Sequence, residues 1–167
     1  MDAQDERPEV SEAQAGERVP RILGLDVGDR RIGLALSDPL GYTAQPLFTL
    51  HRTNRRADLK SMARVLRKHA VTEVVVGNPL YMSGDQSPQA AKAQAFAEDL
   101  RQEFGVTVHL WDERLTTTEA HRYLDDAGHA SGPGPGGRKG IIDQVAAVLI
   151  LQSFLAWRAN QARESGE

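Results

Sequence analysis

The chain has 167 residues, of which 40% are hydrophobic, 26% charged and 5% aromatic, and its formal net charge is −3. That length predicts one domain burying about 70% of its unfolded surface, and the absence of cysteine excludes a disulfide scaffold, a cysteine nucleophile, an iron–sulfur cluster and a cysteine-based zinc site. No unbroken apolar run approaches the roughly 18–20 residues of a membrane span, and the acidic N-terminus lacks the apolar core of a signal or transit peptide, so a cytoplasmic protein without a membrane partner is expected.

Residues 1–19 read as a disordered acidic tail, polar and without periodic apolar positions. Arg21–Val27 and Arg31–Ser37 are two apolar strands joined by a Gly28-Asp29-Arg30 turn, and Gln45–Leu50 is a third short strand. Arg56–His69 has the spacing of an amphipathic helix, with Leu59, Met62, Ala63 and Leu66 on one face. Glu73–Gly77 is a continuous apolar strand of the kind buried on both faces. Ser87-Pro88 supplies an N-cap and an N1 proline for a helix that Gly105 ends after Phe104. Val106–Trp111 is the fifth strand. Thr116 and Glu119 have capping-box spacing for a helix that Gly128 stops, and residues 128–140, with six glycines and two prolines, read as a loop. A final helix runs from Ile141 to about Asn160. The expected fold is α/β: a five-stranded mixed sheet, three strands antiparallel and two parallel, with helices on both faces. The domain is expected over residues 20–160, with a short C-terminal tail at 161–167.

The charge is unevenly spread. Residues 1–20 hold six acids and two bases, whereas residues 21–167 hold 17 acids and 18 bases. Residues 51–68 carry seven bases against Asp58 alone. Such a run is either a solvated helix face or a track for a phosphate backbone.

Acidic residues at element ends are the candidates for chemistry. Asp26 closes the first strand, where burying an unpaired carboxylate is costly; it is either a rim residue taking turn hydrogen bonds or a cation ligand. Asp112 and Glu113 end the fifth strand, and Asp143 lies in the first turn of the last helix. Each alone is explained by a helix dipole, but together they can converge at one rim of the sheet. Carboxylates suit Mg²⁺ or Mn²⁺, and the five histidines show no zinc-like pairing. The glycines at 132 and 137 have P-loop separation, but Arg138-Lys139 stand where Lys-Ser/Thr is needed and no strand leads in, which argues against a phosphate-binding loop.

Four segments carry a resemblance: GLDVGDRRIGLALSD, VVVGNPLYMSG, WDERLTTTEA and IDQVAAVLILQS. In this order they are similar to the YqgF family, also called RuvX, over about residues 21–157. Its members are described as pre-16S ribosomal RNA nucleases and as Holliday-junction-resolvase-like proteins. The resemblance implies a ribonuclease H-like fold and a catalytic, metal-binding set of Asp26, Glu113 and Asp143, with Asp112 as a substitute or supporting acid beside Arg114. It further implies phosphodiester hydrolysis by two Mg²⁺ or Mn²⁺ ions about 3.5–4 Å apart, leaving 5′-phosphate and 3′-hydroxyl ends. Arg30, Arg31, Arg52, Arg55, Arg56, Lys60, Arg64, Arg138 and Lys139 would then hold nucleic acid. The sequence departs from the family at Asn78, Tyr81 and Ser83, where leucine, asparagine and aspartate are usual.

The favoured reading is a hydrolase, a metal-dependent endonuclease processing the 5′ end of precursor 16S rRNA, with a DNA junction resolvase as the alternative. A non-catalytic nucleic-acid-binding protein and a small actin-like ATPase are the competing classes; the second normally needs two such domains. Junction resolution favours a homodimer, which would place two sites on symmetric strands; a monomer weakens it.

Overall fold

The computed structural model of the chain describes residues 20–115 and 138–166, with 138–141 as backbone only. Strands β1 (Arg21–Val27) and β2 (Arg31–Ser37) form the expected hairpin, closed by the Gly28 N–H donating to the Arg31 carbonyl at 2.8 Å. Then follow β3 (Ala44–His51), α1 (Arg55–Lys68), β4 (Val71–Asn78), α2 (Pro88–Phe104), β5 (Thr107–Asp112), a 3-10 turn at Glu113–Leu115, and α3 (Arg138–Gly166). The sheet runs β3-β2-β1-β4-β5, with β2 antiparallel to β1 and β3, and with β4 parallel to both β1 and β5. This is the expected mixed sheet.

Local signals set the helix ends, Ser87 and Gly105 as expected and Asn54 in addition. The Asn54 side chain caps α1 by accepting from the Ala57 N–H at 2.9 Å, and the Ser87 hydroxyl caps α2 by accepting from Ala90. Gly105 ends α2 at φ +65°, a conformation cheap only for glycine. The last helix differs from expectation. It begins at Arg138, three residues before Ile141, and continues to Gly166, through most of the segment read as a C-terminal tail. The expected helix opened by Thr116, most of the glycine-rich loop, and the N-terminal tail lie outside the described residues.

The strands alternate between two helical layers. Leu23, Leu25, Val27, Ile32, Leu34, Leu36, Val74 and Val76 face α1 and α2, packing on Leu59, Met62, Leu66, Phe96 and Leu100. Each such fully buried aliphatic contributes roughly 1.5–3 kcal/mol. Ile22, Ala35, Val75 and Trp111 face α3, against Ala147, Ile150, Leu151, Phe154 and Leu155. By length and composition, Ile142–Gly166 is apolar enough to cross a membrane, a property that inspection for unbroken apolar runs overlooks. Its buried residues recur at three- and four-residue spacing, so one stripe of the helix forms the core against the sheet. Polar ties fix α3 further, among them Gln144 to the Thr49 hydroxyl (3.1 Å), the Ala44 N–H to Gln152 (3.1 Å), and Arg158 to Glu73 (2.7 Å).

Candidate active site

Asp26 is the sixth residue of β1, and strand alternation turns it to the α3 side with Ile22 and Gly24. Directly across the antiparallel pair stands Gly33, and on the parallel side Gly77 follows the Leu25–Val76 pair. Asp26 therefore has a side-chain-free position on each flank. Those two glycines admit the other candidate acids. A Cβ on Gly33 would overlap the backbone carbonyl of Asp143, and one on Gly77 would lie 2.8 Å from a carboxylate oxygen of Glu113. The residues bearing the second and third carboxylates thus press onto the sheet on either side of the first.

The electrostatics follow from this placement. Burial, then the negative charges of Glu113 and Asp143, push the Asp26 carboxyl up from its ordinary value of 3.8 to about 7. Glu113 is also raised, by burial and then by Asp112. Among the described residues neither Asp26 nor Glu113 has a hydrogen-bond or ion-pair partner. Asp143 is different: its Oδ2 accepts from Arg31 Nε at 2.8 Å.

Asp112 also has its own cation. Arg114 donates to it from Nε at 3.0 Å and from a terminal nitrogen at 2.6 Å, and the Arg114 N–H adds a third bond, so Asp112 is held below the usual carboxylate range. Arg114 also donates to the Met82 carbonyl, tying the β4–α2 loop to the β5 end. Adjacent acids in sequence therefore face opposite situations: Asp112 is neutralised, whereas Glu113 is left uncompensated.

A hard divalent cation fits this donor set, because its oxygens are anionic, partly desolvated and short of counter-charge. Among the described residues no three acidic or imidazole side chains are yet grouped closely enough to hold one ion.

The expected nucleic-acid contacts divide sharply. Arg52 donates to buried Asp58 (3.1 Å) and to the Gly28 carbonyl (2.9 Å), and stacks over Phe96, so it fastens the hairpin to α1. Arg55 makes a two-pronged pair with Asp99, and Arg31 holds Asp143. Arg30, Arg56, Lys60 and Arg64 are exposed and have no acidic partner among the described residues. The side chains of Arg138 and Lys139 lie outside the described set. The glycines at 33 and 77 are the site residues that the sequence reading missed. Their signal is a glycine beside Asp26 on each neighbouring strand.

The family departures lie at the end of β4 and on the loop that joins it to α2. Tyr81 is exposed, the Ser83 hydroxyl donates to Asp85, and Asn78 accepts from Gln94.

A mixed sheet in this order, with helices on both faces, defines a ribonuclease H-like fold. The fold is shared with "T. thermophilus RuvC in complex with Holliday junction substrate": TM-score 0.53 and 15% identity, covering 84% of this chain and 96% of that one. Residues 20–157 match the RuvX family, described as Holliday junction resolvase, and the chain belongs to that family. A relative from Koribacter versatilis, named "Putative pre-16S rRNA nuclease", is 47% identical over 144 residues, which is 86% of this chain and 92% of that protein. One from Moorella thermoacetica with the same name is 50% identical over 135 residues, 81% of this chain and 94% of that protein.

Proposed function

We propose that the protein is a metal-dependent nuclease that hydrolyses phosphodiester bonds in structured RNA, and that its substrate is precursor 16S rRNA in the cytoplasm. The observation that supports the chemistry is that Glu113 and Asp143 flank Asp26 on one side of the sheet, with Asp26 and Glu113 lacking a counter-charge among the described residues. The names of the 47% and 50% identical relatives favour ribosomal RNA as substrate. The family description and the shared fold favour a second reading, cleavage of four-way DNA junctions.

Asp26, Glu113 and Asp143 would hold Mg²⁺ or Mn²⁺, in a two-ion arrangement. Such ions lower the pKa of an attacking water and stabilise the departing 3′-oxygen. The chain's own residues supply the rest. Partial burial of Asp26 and Glu113 keeps their negative charge poorly solvated and so strengthens their pull on cations. Arg114 removes Asp112 from the competition and fixes the loop that flanks the site. Exposed Arg30, Arg56, Lys60 and Arg64 provide positive charge for a phosphate backbone, with Arg30 on the β1–β2 turn and the others on α1.

The test is a cleavage assay with purified protein in Mg²⁺ and in Mn²⁺. Its substrates are a precursor 16S fragment spanning the mature 5′ end, a DNA duplex and a four-way DNA junction. Cleavage of the RNA to 5′-phosphate ends, abolished in Asp26→Asn, is expected. Cleavage of the junction alone would replace the first reading by the second. Binding without cleavage of any substrate would overturn both.

A further inference from the structure

Of the three carboxylates on this side of the sheet, two stand without a counter-charge among the described residues and the third does not. Arg31 lies on β2 two residues from Gly33, the cross-strand neighbour of Asp26, so strand alternation places it on the same side of the sheet. It reaches α3 and pairs with Asp143 at 2.8 Å, with the two side chains 31% and 22% exposed. Asp143 is its one acidic partner among the described residues. The guanidinium therefore sits against Asp143, the carboxylate that a cation would have to share with Asp26 and Glu113.

We infer that Arg31 is a resident counter-cation of Asp143 that leaves when a divalent ion loads, and that its release presents a guanidinium to the phosphate backbone of the substrate. The inference rests on the metal-dependent reading above and adds a sequence of events to it. A single partly exposed ion pair holds its carboxylate less strongly than a divalent charge does, so a divalent ion can displace it. Once displaced, the planar fork stands at the rim of the site with its donors unmet, and that geometry matches a phosphate. Metal and nucleic acid would then assist each other's binding through Arg31, by equal factors in either direction.

An alternative role for the same pair is a strut that orients Asp143 as a ligand. The two roles predict opposite signs. Removing a competitor tightens metal binding, whereas removing a strut weakens it.

The experiment is calorimetric titration of the metal-free protein with Mn²⁺ alone, comparing the native chain with Arg31→Gln, Arg31→Lys and Asp143→Asn, each checked for native unfolding behaviour. Arg31→Gln should tighten Mn²⁺ binding about two- to fivefold, the factor an ion pair of this exposure withholds. Arg31→Lys keeps the charge and should stay within about twofold of native. In the Asp143→Asn background the Arg31→Gln effect should vanish, because the two residues act through one contact. A second readout uses Ca²⁺ in place of a catalytic ion and a fluorescein-labelled RNA duplex: Ca²⁺ should tighten RNA binding by the native protein and not by Arg31→Gln. Unchanged or weaker Mn²⁺ binding by Arg31→Gln overturns the inference and leaves the nuclease reading intact. Failure of the native protein to bind Mn²⁺ at all overturns the metal-dependent reading itself, and the inference with it.

Discussion

Toward α1 and α2 the three central strands present Leu23, Leu25, Ile32, Leu34, Val74 and Val76; toward α3 the same strands present Ile22 and Val75 together with Gly24, Asp26, Gly33, Ala35 and Gly77. The first face is filled by side chains meeting halfway, the ordinary way a sheet and a helix share a core. On the second the sheet contributes little volume around Asp26, so there the helix must come to it. A Cβ on Gly24 would lie 2.7 Å from the Leu151 Cβ, one on Gly33 would overlap the Asp143 backbone, and one on Gly77 would lie 2.6 Å from the Ile150 side chain. Close approach is how a helix distant in sequence delivers a carboxylate beside Asp26. One face is built for stability and the other for proximity.

The largest break in this comparison is expected at Asp26 itself. Asp26→Asn should lower cleavage by about a thousandfold or more, since it removes the carboxylate common to the whole site. The same variant should be more stable than native in metal-free buffer. The Asp26 carboxyl is raised from 3.8 to about 7 in the fold, so the folded state holds its proton more tightly than the unfolded chain. Its contribution is therefore most favourable below pH 3.8, declines as pH rises toward 7, and is fully unfavourable above that, by on the order of 4 kcal/mol. Denaturant unfolding in a chelator at pH 5 and pH 8 should show this loss in the native protein and not in Asp26→Asn.

Next in size is a pair of adjacent residues on opposite faces. Leu34→Ala should cost about 2–5 kcal/mol by leaving a cavity under α1 and α2, while Mn²⁺ affinity stays native. Gly33→Ala should cost a comparable or smaller amount, about 1–3 kcal/mol, but should abolish Mn²⁺ binding because Asp143 is pushed off the sheet. Equal effects of both variants on metal affinity would contradict the division of labour. Gly77→Ala should be milder in stability, since its new methyl meets the ends of the flexible Ile150 and Glu113 side chains, yet it should still weaken Mn²⁺ binding. The smallest change is Asn54→Ala, which removes the α1 cap for about 1 kcal/mol and should leave metal binding and cleavage per folded molecule untouched.

The strands, α1 and α2 were legible because their causes are local: apolar alternation and amphipathic spacing, Ser87 as a cap, and Gly105 as a stop. The acids Asp26, Glu113 and Asp143 were legible as element ends and through the family motifs that contain them. What escaped was set by contacts remote in sequence. Nothing near Arg31 announces Asp143, 112 residues away, and nothing near Arg55 announces Asp99. Arginines that read as a phosphate track are therefore partly consumed inside the fold, and the contrast between Asp112 and Glu113 depends on where the Arg114 side chain turns. The glycines at 33 and 77 read as hairpin and strand-end residues because a helix pressing on them is invisible until the sheet is assembled.

The central claim is that the α3 side of the sheet assembles a cation site from Asp26, Glu113 and Asp143 while Asp112 serves elsewhere. Mn²⁺ titration of the metal-free protein, followed by electron paramagnetic resonance of the free ion, tests it across four proteins: native, Asp26→Asn, Glu113→Gln and Asp112→Asn. The account predicts binding by the native protein and by Asp112→Asn, and a loss of at least about tenfold in affinity for the other two, the equivalent of removing one charged ligand. Equal Mn²⁺ affinity in all four, or a loss confined to Asp112→Asn, would contradict it.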